Sequence, residues 1–172
     1  LLIVQWVPFG AILAAGNDEQ KRRLLGPLAA GELRGAFSTT EPQSGSDVAG
    51  IRTRARRCDG GYRISGSKIW CTNSQIADFV LVAAKTGDDE GARAINLFIV
   101  ERGSKGFTVG RHEDKMGARG VPSCPLFLDE VFVAEANRIG EDGRGFKDVM
   151  EAFNKSRPLI GARGVGLAQG AI

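Results

Sequence analysis

The sequence predicts an α+β chain, an antiparallel β-barrel or β-sandwich with helices on either side of it. Two observations carry this. The apolar period is helical towards both ends of the 172 residues and close to two between them. The strand-like runs also follow one another with no helical run in between, which argues against a parallel βαβ sheet. Composition agrees: 42% hydrophobic and 25% charged residues are globular values and exclude disorder. The excess of 23 basic over 20 acidic residues is too small to make nucleic acid or an anionic membrane the main partner.

The first clear helix is capped by Asn17, with Asp18 and Glu19 in its first turn and Leu24, Leu25, Leu28 and Ala29 as its apolar stripe. Pro27 predicts a break near Gly26, and Gly31 predicts the stop. From about Gly35 the period becomes two. Ile51, Thr53 and Ala55 alternate with Arg52, Arg54 and Arg56, a wet strand face rather than a nucleic-acid groove because no aromatics interleave with it. Asp59-Gly60-Gly61 is a hairpin turn leading to residues 62–65 and, after Gly66, to residues 68–72. Residues 79–84 and 95–100 read as buried strands either side of an acidic loop at 87–92, and strands at 107–109 and 126–133 follow. Helical spacing returns after Gly143-Arg144-Gly145 with Phe146, Val149, Met150 and Phe153. Pro158 predicts a kink or restart there. Gly161, Gly164, Ala168 and Ala171 then form a small-residue stripe. The glycines at 164–170 are wrongly spaced for a dinucleotide loop and follow no strand, so they read as helix packing.

Leu1-Leu2-Ile3-Val4 lacks the charged start of a signal peptide, and no later run is long enough to span a bilayer. The last residues, Leu167 to Ile172, stop in mid-pattern with no helix stop before Ile172. The chain therefore reads as an internal piece of a longer protein from a reducing compartment. Cys58, Cys71 and Cys124 form no close pair, and their odd number suits free thiols. With His112 as the single histidine, no metal site is expected.

Three stretches can carry chemistry. In the first, a strand runs through Phe37, Ser38, Thr39 and Thr40 into the hydroxyl-rich loop Glu41-Pro42-Gln43-Ser44-Gly45-Ser46-Asp47. Its N–H groups and hydroxyls can hold the polar edge of a planar ring or a phosphate. The same residues also fit a self-bonded turn closed by Asp47. In the second, strand alternation places Trp70 and Thr72 on one face, an aromatic plane beside a hydroxyl donor. A core tryptophan with a satisfied hydroxyl is the plainer alternative. Cys71 between them reads as a small buried hydrophobe, since no histidine lies nearby in sequence. The third is Asn154-Lys155-Ser156-Arg157 at the expected helix break, where an arginine can bind an anion, stack on a ring, or simply be solvated.

Taken together, these stretches resemble the acyl-CoA dehydrogenase family. Thr40-Glu41-Pro42 followed by Gly45-Ser46-Asp47-Val48 is similar to the family's TEPxxGSD signature, and Gly66-Ser67-Lys68-Ile69-Trp70-Cys71-Thr72-Asn73 to its GxKxWxTN strand. Lys115-Met116-Gly117, Asp129-Glu130-Val131-Phe132-Val133 and Ser156-Arg157-Pro158 follow in the family's order and spacing. Gln43-Ser44 stands where many members carry Gly-Ala, and residues 120–125 are richer in proline than the usual loop, which leaves the subfamily and acyl chain open.

The resemblance implies three parts: the end of an N-terminal helical domain (1–34), a middle β domain (35–142) and the start of a C-terminal helical domain (143–172). It further implies FAD at the domain junction, a homotetramer, an electron-accepting flavoprotein as partner, and a location in the cytoplasm or, in a eukaryote, the mitochondrial matrix. By the same resemblance Phe37, Ser38, Thr39, Thr40, Gly45 and Ser46 line the flavin. Trp70, Cys71 and Thr72 belong to the strand against its ring, with the threonine at the N5 edge. Ser46, Asn154, Lys155, Ser156 and Arg157 contact the acyl-CoA thioester.

The implied reaction is α,β-dehydrogenation, in which a base removes the α proton, flavin N5 accepts hydride from the β carbon and the protein polarises the thioester carbonyl. Most of the family carries the base in a late helical segment, and a minority place a glutamate immediately before the arginine that matches Arg157. Here Ser156 holds that position. Glu151, six residues upstream of Arg157, lies well over roughly 100° around the helix from it. No catalytic base is therefore expected within these residues, and the base is expected beyond Ile172. Two other classes fit the same sequence: a related flavoenzyme on this fold, of acyl-CoA oxidase or nitroalkane-oxidising type, and a flavin-free β-rich interaction module.

Overall fold

A computed structural model describes the protein at residues 2–87 and 91–172, with side chains from residue 5 onward. Residues 88–90 of the expected acidic loop lie outside the described residues. Helices α1 (Leu2–Ala15) and α2 (Asp18–Ala30) lead. The strands are β1 (Gly35–Ser38), β2 (Arg54–Cys58), β3 (Gly61–Thr72), β4 (Phe79–Thr86), β5 (Ile95–Glu101), β6 (Phe107–Val109), β7 (Ser123–Ala134) and β8 (Arg138–Ile139), and α3 (Gly145–Ala171) follows. No helix among the described residues is long and apolar enough to cross a membrane.

The Asn17 cap forms as expected and is reciprocal. Its side chain accepts from the Gln20 N–H at 2.8 Å, and the Gln20 side chain accepts from the Asn17 N–H at 3.0 Å. The Gln20 amide also donates to the Ala136 and Arg138 carbonyls, fastening α2 beside β8. Gly31 ends the helix with φ +75°. The break expected at Pro27 does not occur. Proline removes one backbone bond, but Leu24 and Leu28 are buried on either side of it and hold both turns to the core. Pro158 likewise sits inside one continuous helix, α3, with no restart. Val149 and Ala152 anchor the turns before it in the core.

The described strands form one sheet in the order β6-β7-β3-β2-β4-β5-β8, with β1 also paired to β4. Pairing is mostly antiparallel. The exception is one edge of β4, which runs parallel to β1 over Gly35–Ser38 and parallel to β2 at Arg54 and Ala55, while antiparallel β5 takes the opposite edge. Residues along β4 alternate between two cores. Val80, Val82 and Ala84 pack with Ile64, Phe98 and Leu126, whereas Phe79, Leu81 and Ala83 pack with Ile12, Leu24, Leu28 and Val149 of the helices. Burial on both faces is why this run is apolar without interruption.

Two irregularities shape β3. Between Lys68↔Leu126 and Cys71↔Cys124 the register steps, so that Ile69 and Trp70 together oppose Pro125. Proline has no N–H for the ladder, and the bulge falls where pairing is already lost. Trp70 takes φ +58° there, and beyond it Cys71 is buried between the more exposed Trp70 and Thr72.

The second irregularity lies at Gly66, with φ +153°, where an added Cβ would sit 2.8 Å from the Thr53 Cα. The Gly66→Ala protein is expected to lose roughly 2–4 kcal/mol through combined backbone strain and overpacking. Its urea midpoint would show this, and a midpoint equal to that of the unaltered protein would contradict the close approach.

Candidate functional site

Four elements meet around a cleft of about 250 Å³. Phe37, Ser38, Thr39 and Thr40 come from the end of β1 and the loop after it. The β3 bulge supplies Ile69 and Trp70, with Thr72 beyond them. Helix α1 adds Val7, and α3 adds Phe153, Ser156 and Ile160. The Phe37 and Phe153 rings meet edge to face at 5.5 Å and join the sheet to α3.

Left-handed backbone is an outlier for a residue as bulky as tryptophan. At Trp70 it accompanies an indole that is 54% exposed, so this side chain is not a core tryptophan. The Thr72 hydroxyl lies 3.4 Å from that of Ser123, a long contact that leaves it further bonding capacity. Ser38 is buried at the cleft, with its hydroxyl beside the Cys71 thiol. Cys71 is buried, and its thiol donates to the Phe37 carbonyl at 3.6 Å. Burial pushes that thiol up to about 12, so it stays neutral, as the sequence reading expects.

A buried ion pair joins the two strand segments of the cleft. Lys68 Nζ donates to Glu41 Oε1 at 2.7 Å, with the side chains 0% and 3% exposed. Sequence reasoning does not single out this pair. Its signal is a lysine at an inward position of β3, in line with buried Tyr62 and Ile64, where a charge requires a partner.

Residues 36–131 match the family model of the acyl-CoA dehydrogenase middle domain. The chain belongs to the acyl-CoA dehydrogenase family. An acyl-CoA dehydrogenase of Bacillus subtilis (strain 168) is 43% identical over 161 residues, covering 94% of this chain and 42% of the relative. A mitochondrial isovaleryl-CoA dehydrogenase of Oryza sativa subsp. japonica is 39% identical over 157 residues, covering 91% of this chain and 38% of its own length. Among solved structures, butyryl-CoA dehydrogenase from Megasphaera elsdenii superposes with a TM-score of 0.93 at 38% identity, over 96% of this chain and 44% of its own. The chain thus spans about two fifths of the length of these acyl-CoA dehydrogenase relatives.

Both signature stretches of this acyl-CoA dehydrogenase family chain reach the cleft, but only in part. Gly45 and Ser46 are exposed and lie outside it. Their loop closes on itself through paired backbone bonds between Glu41 and Ser44, at 2.9 and 3.0 Å, and through a bond from the Ser44 hydroxyl to the Asp47 carbonyl. On α3 only Ser156 of the expected four lines the cleft, and its hydroxyl donates to the Phe153 carbonyl at 2.9 Å. Asn154, Lys155 and Arg157 are exposed, with the Arg157 guanidinium donating to the Asn154 side chain. All four lie within a continuous helix, not at a break. Ile172, beyond which the base is expected, caps the far end of that helix, fully exposed and outside the cleft.

Proposed function

We propose that the full-length protein is an FAD-dependent acyl-CoA dehydrogenase in which residues 1–34, 35–142 and 143–172 belong to N-terminal helical, middle β and C-terminal helical domains. The observation that carries this reading is the polar half of the cleft. Ser38 offers a buried hydroxyl beside the Cys71 thiol, Thr72 offers a second hydroxyl, and Trp70 holds an indole outward on left-handed backbone. A planar heteroaromatic group with one polar edge fits such a set, taking contact area from the indole and orientation from the hydroxyls. FAD is such a group, and when bound it supplies the acceptor for the hydride from the substrate's β carbon.

In this reading Phe37, Ser38, Thr39 and Thr40 form one flavin-facing segment and Trp70 and Thr72 the other, with Cys71 as buried support. Gly45 and Ser46 shape the exposed turn that continues the first segment. Ser46, Asn154, Lys155, Ser156 and Arg157 face the acyl-CoA, and the exposed guanidinium of Arg157 suits its anionic portion. A homotetramer and an electron-accepting flavoprotein partner complete the proposal.

Trp70→Ala and Thr72→Val in the full-length protein test it. Loss of the stacking plane or of one buried hydrogen bond should weaken flavin binding or slow flavin reduction by an amount equivalent to about 1–3 kcal/mol. Flavin content and single-turnover reduction are the readouts. Both unchanged in both variants would refute the assignment.

A further inference from the structure

We infer that the buried Glu41–Lys68 pair is a positioning element of the flavin site, one that sets the spacing and register of the two segments facing the ring. The inference rests on the FAD reading above. Lys68 Nζ donates to the Thr39 carbonyl at 3.2 Å as well as to Glu41, and the next residue, Ile69, donates its N–H to the Thr40 carbonyl at 3.0 Å. Consecutive carbonyls of one cleft segment are therefore fixed to consecutive donors of the other.

The carboxylate of Glu41 extends the clamp further. Oε1 also accepts from the Thr53 N–H at 3.0 Å and the Thr53 hydroxyl at 2.6 Å. Oε2 accepts from the Arg52 N–H at 2.6 Å and the Gln43 amide at 2.7 Å. One side chain thus ties together the loop at 39–43, the extended segment at 52–53 and strand β3.

Lys68 is also the last residue of β3 in register with β7 before the bulge that presents Trp70. Anything that lets Lys68 shift moves the start of that bulge. Apolar side chains could fill the same volume, and in stability alone a buried ion pair holds no advantage over them. They would donate nothing to Thr39 and so leave the Ile69 N–H to Thr40 bond without the neighbouring tie that fixes the spacing of the two segments. Sub-ångström placement of groups around a bound ring is what such supporting hydrogen bonds supply.

The test uses full-length protein, stripped of flavin and titrated with FAD, with thermal midpoint and bound-flavin absorption spectrum recorded alongside. The variants are Lys68→Met, Glu41→Gln and the double Glu41→Gln/Lys68→Met. The double variant removes both charges, so a merely structural pair would be largely compensated in it. We expect it to recover thermal stability relative to the single variants and still to bind FAD at least roughly tenfold more weakly, or about 1.4 kcal/mol. Its bound-flavin spectrum should be displaced from that of the unaltered protein. A double variant with unaltered FAD affinity and spectrum overturns the inference, and it decides the question even where a single variant fails to fold. Unaltered protein that takes up no FAD overturns the flavin reading itself, a separate and distinguishable result.

Discussion

Lys68→Met and Glu41→Leu are each expected to destabilise the protein by roughly 3–5 kcal/mol, the glutamate substitution more severely, because each strands a buried charge. The ranking follows from what each survivor keeps. Without Lys68, the Glu41 carboxylate retains the Thr53 N–H and hydroxyl, the Arg52 N–H and the Gln43 amide. Without Glu41, the Lys68 ammonium retains the Thr39 carbonyl among the bonds described, and the Arg52 and Thr53 N–H groups lose their acceptor. Urea midpoints of the two variants measure the ranking, and a milder glutamate variant would contradict it.

The same pair has a pH signature. Burial by itself raises the Glu41 carboxyl, but the Lys68 charge and the bonds from Lys68, Thr53 and Arg52 override it and bring the group from 4.5 down to about 2. The unfolded chain therefore takes up this proton first as pH falls. The contribution is complete above pH 4.5 and is lost progressively towards pH 2, to a total of about 3 kcal/mol. Burial lowers Lys68 to about 8, against the pull of Glu41, so it is protonated in both states throughout the acid window and adds no slope there. Lys68→Met should flatten the acid limb of a stability–pH curve, and an acid limb unchanged by this substitution would show that another carboxylate is responsible.

What can be read from the sequence is local. The β4 and β5 runs, the Asp59-Gly60 hairpin and the Asn17 cap depend on a few neighbouring residues, and each forms where expected. Pro27 misleads because burial of Leu24 and Leu28 against distant strands keeps its helix whole, whereas the residues after Pro158 are exposed and their burial does not explain why α3 continues. Period two announces a strand but not its partner, so the parallel pairing of β1 and β2 with β4 is not legible. The site divides the same way. The stretches at 37–40 and 70–72 reach the cleft, yet what turns Trp70 outward is a bulge opposite Pro125, on a strand more than fifty residues further along the chain. Glu41 and Lys68 are 27 residues apart, and no short-range pattern shows that two inward charges meet.

Residues 1–172 alone are expected to desaturate no acyl-CoA, even with FAD supplied, whereas under the proposed function the full-length protein is expected to do so. Removing an α proton requires a base within hydrogen-bond reach of it, contributing about 10²–10⁴ in rate. Among the described residues lining the cleft there is no carboxylate. Glu41 lies behind it, but its oxygens are committed to five donors and its carboxyl is held at about 2, far too acidic to accept such a proton. Ser156 does line the cleft, but its hydroxyl donates to the Phe153 carbonyl, and the single histidine, His112, is exposed on the segment after β6. Glu151 lines a different cavity, of about 320 Å³, shared with Asp148, Arg144 and Arg138, and lies 4.0 Å from Lys147. The base is therefore expected from the protein beyond Ile172. Fragment and full-length protein should be assayed side by side with the same acyl-CoA substrates and an artificial electron acceptor, after circular dichroism has shown the fragment folded. Fragment turnover that survives Ser156→Ala and disappears in Glu151→Gln would place the base inside the chain and refute this assignment.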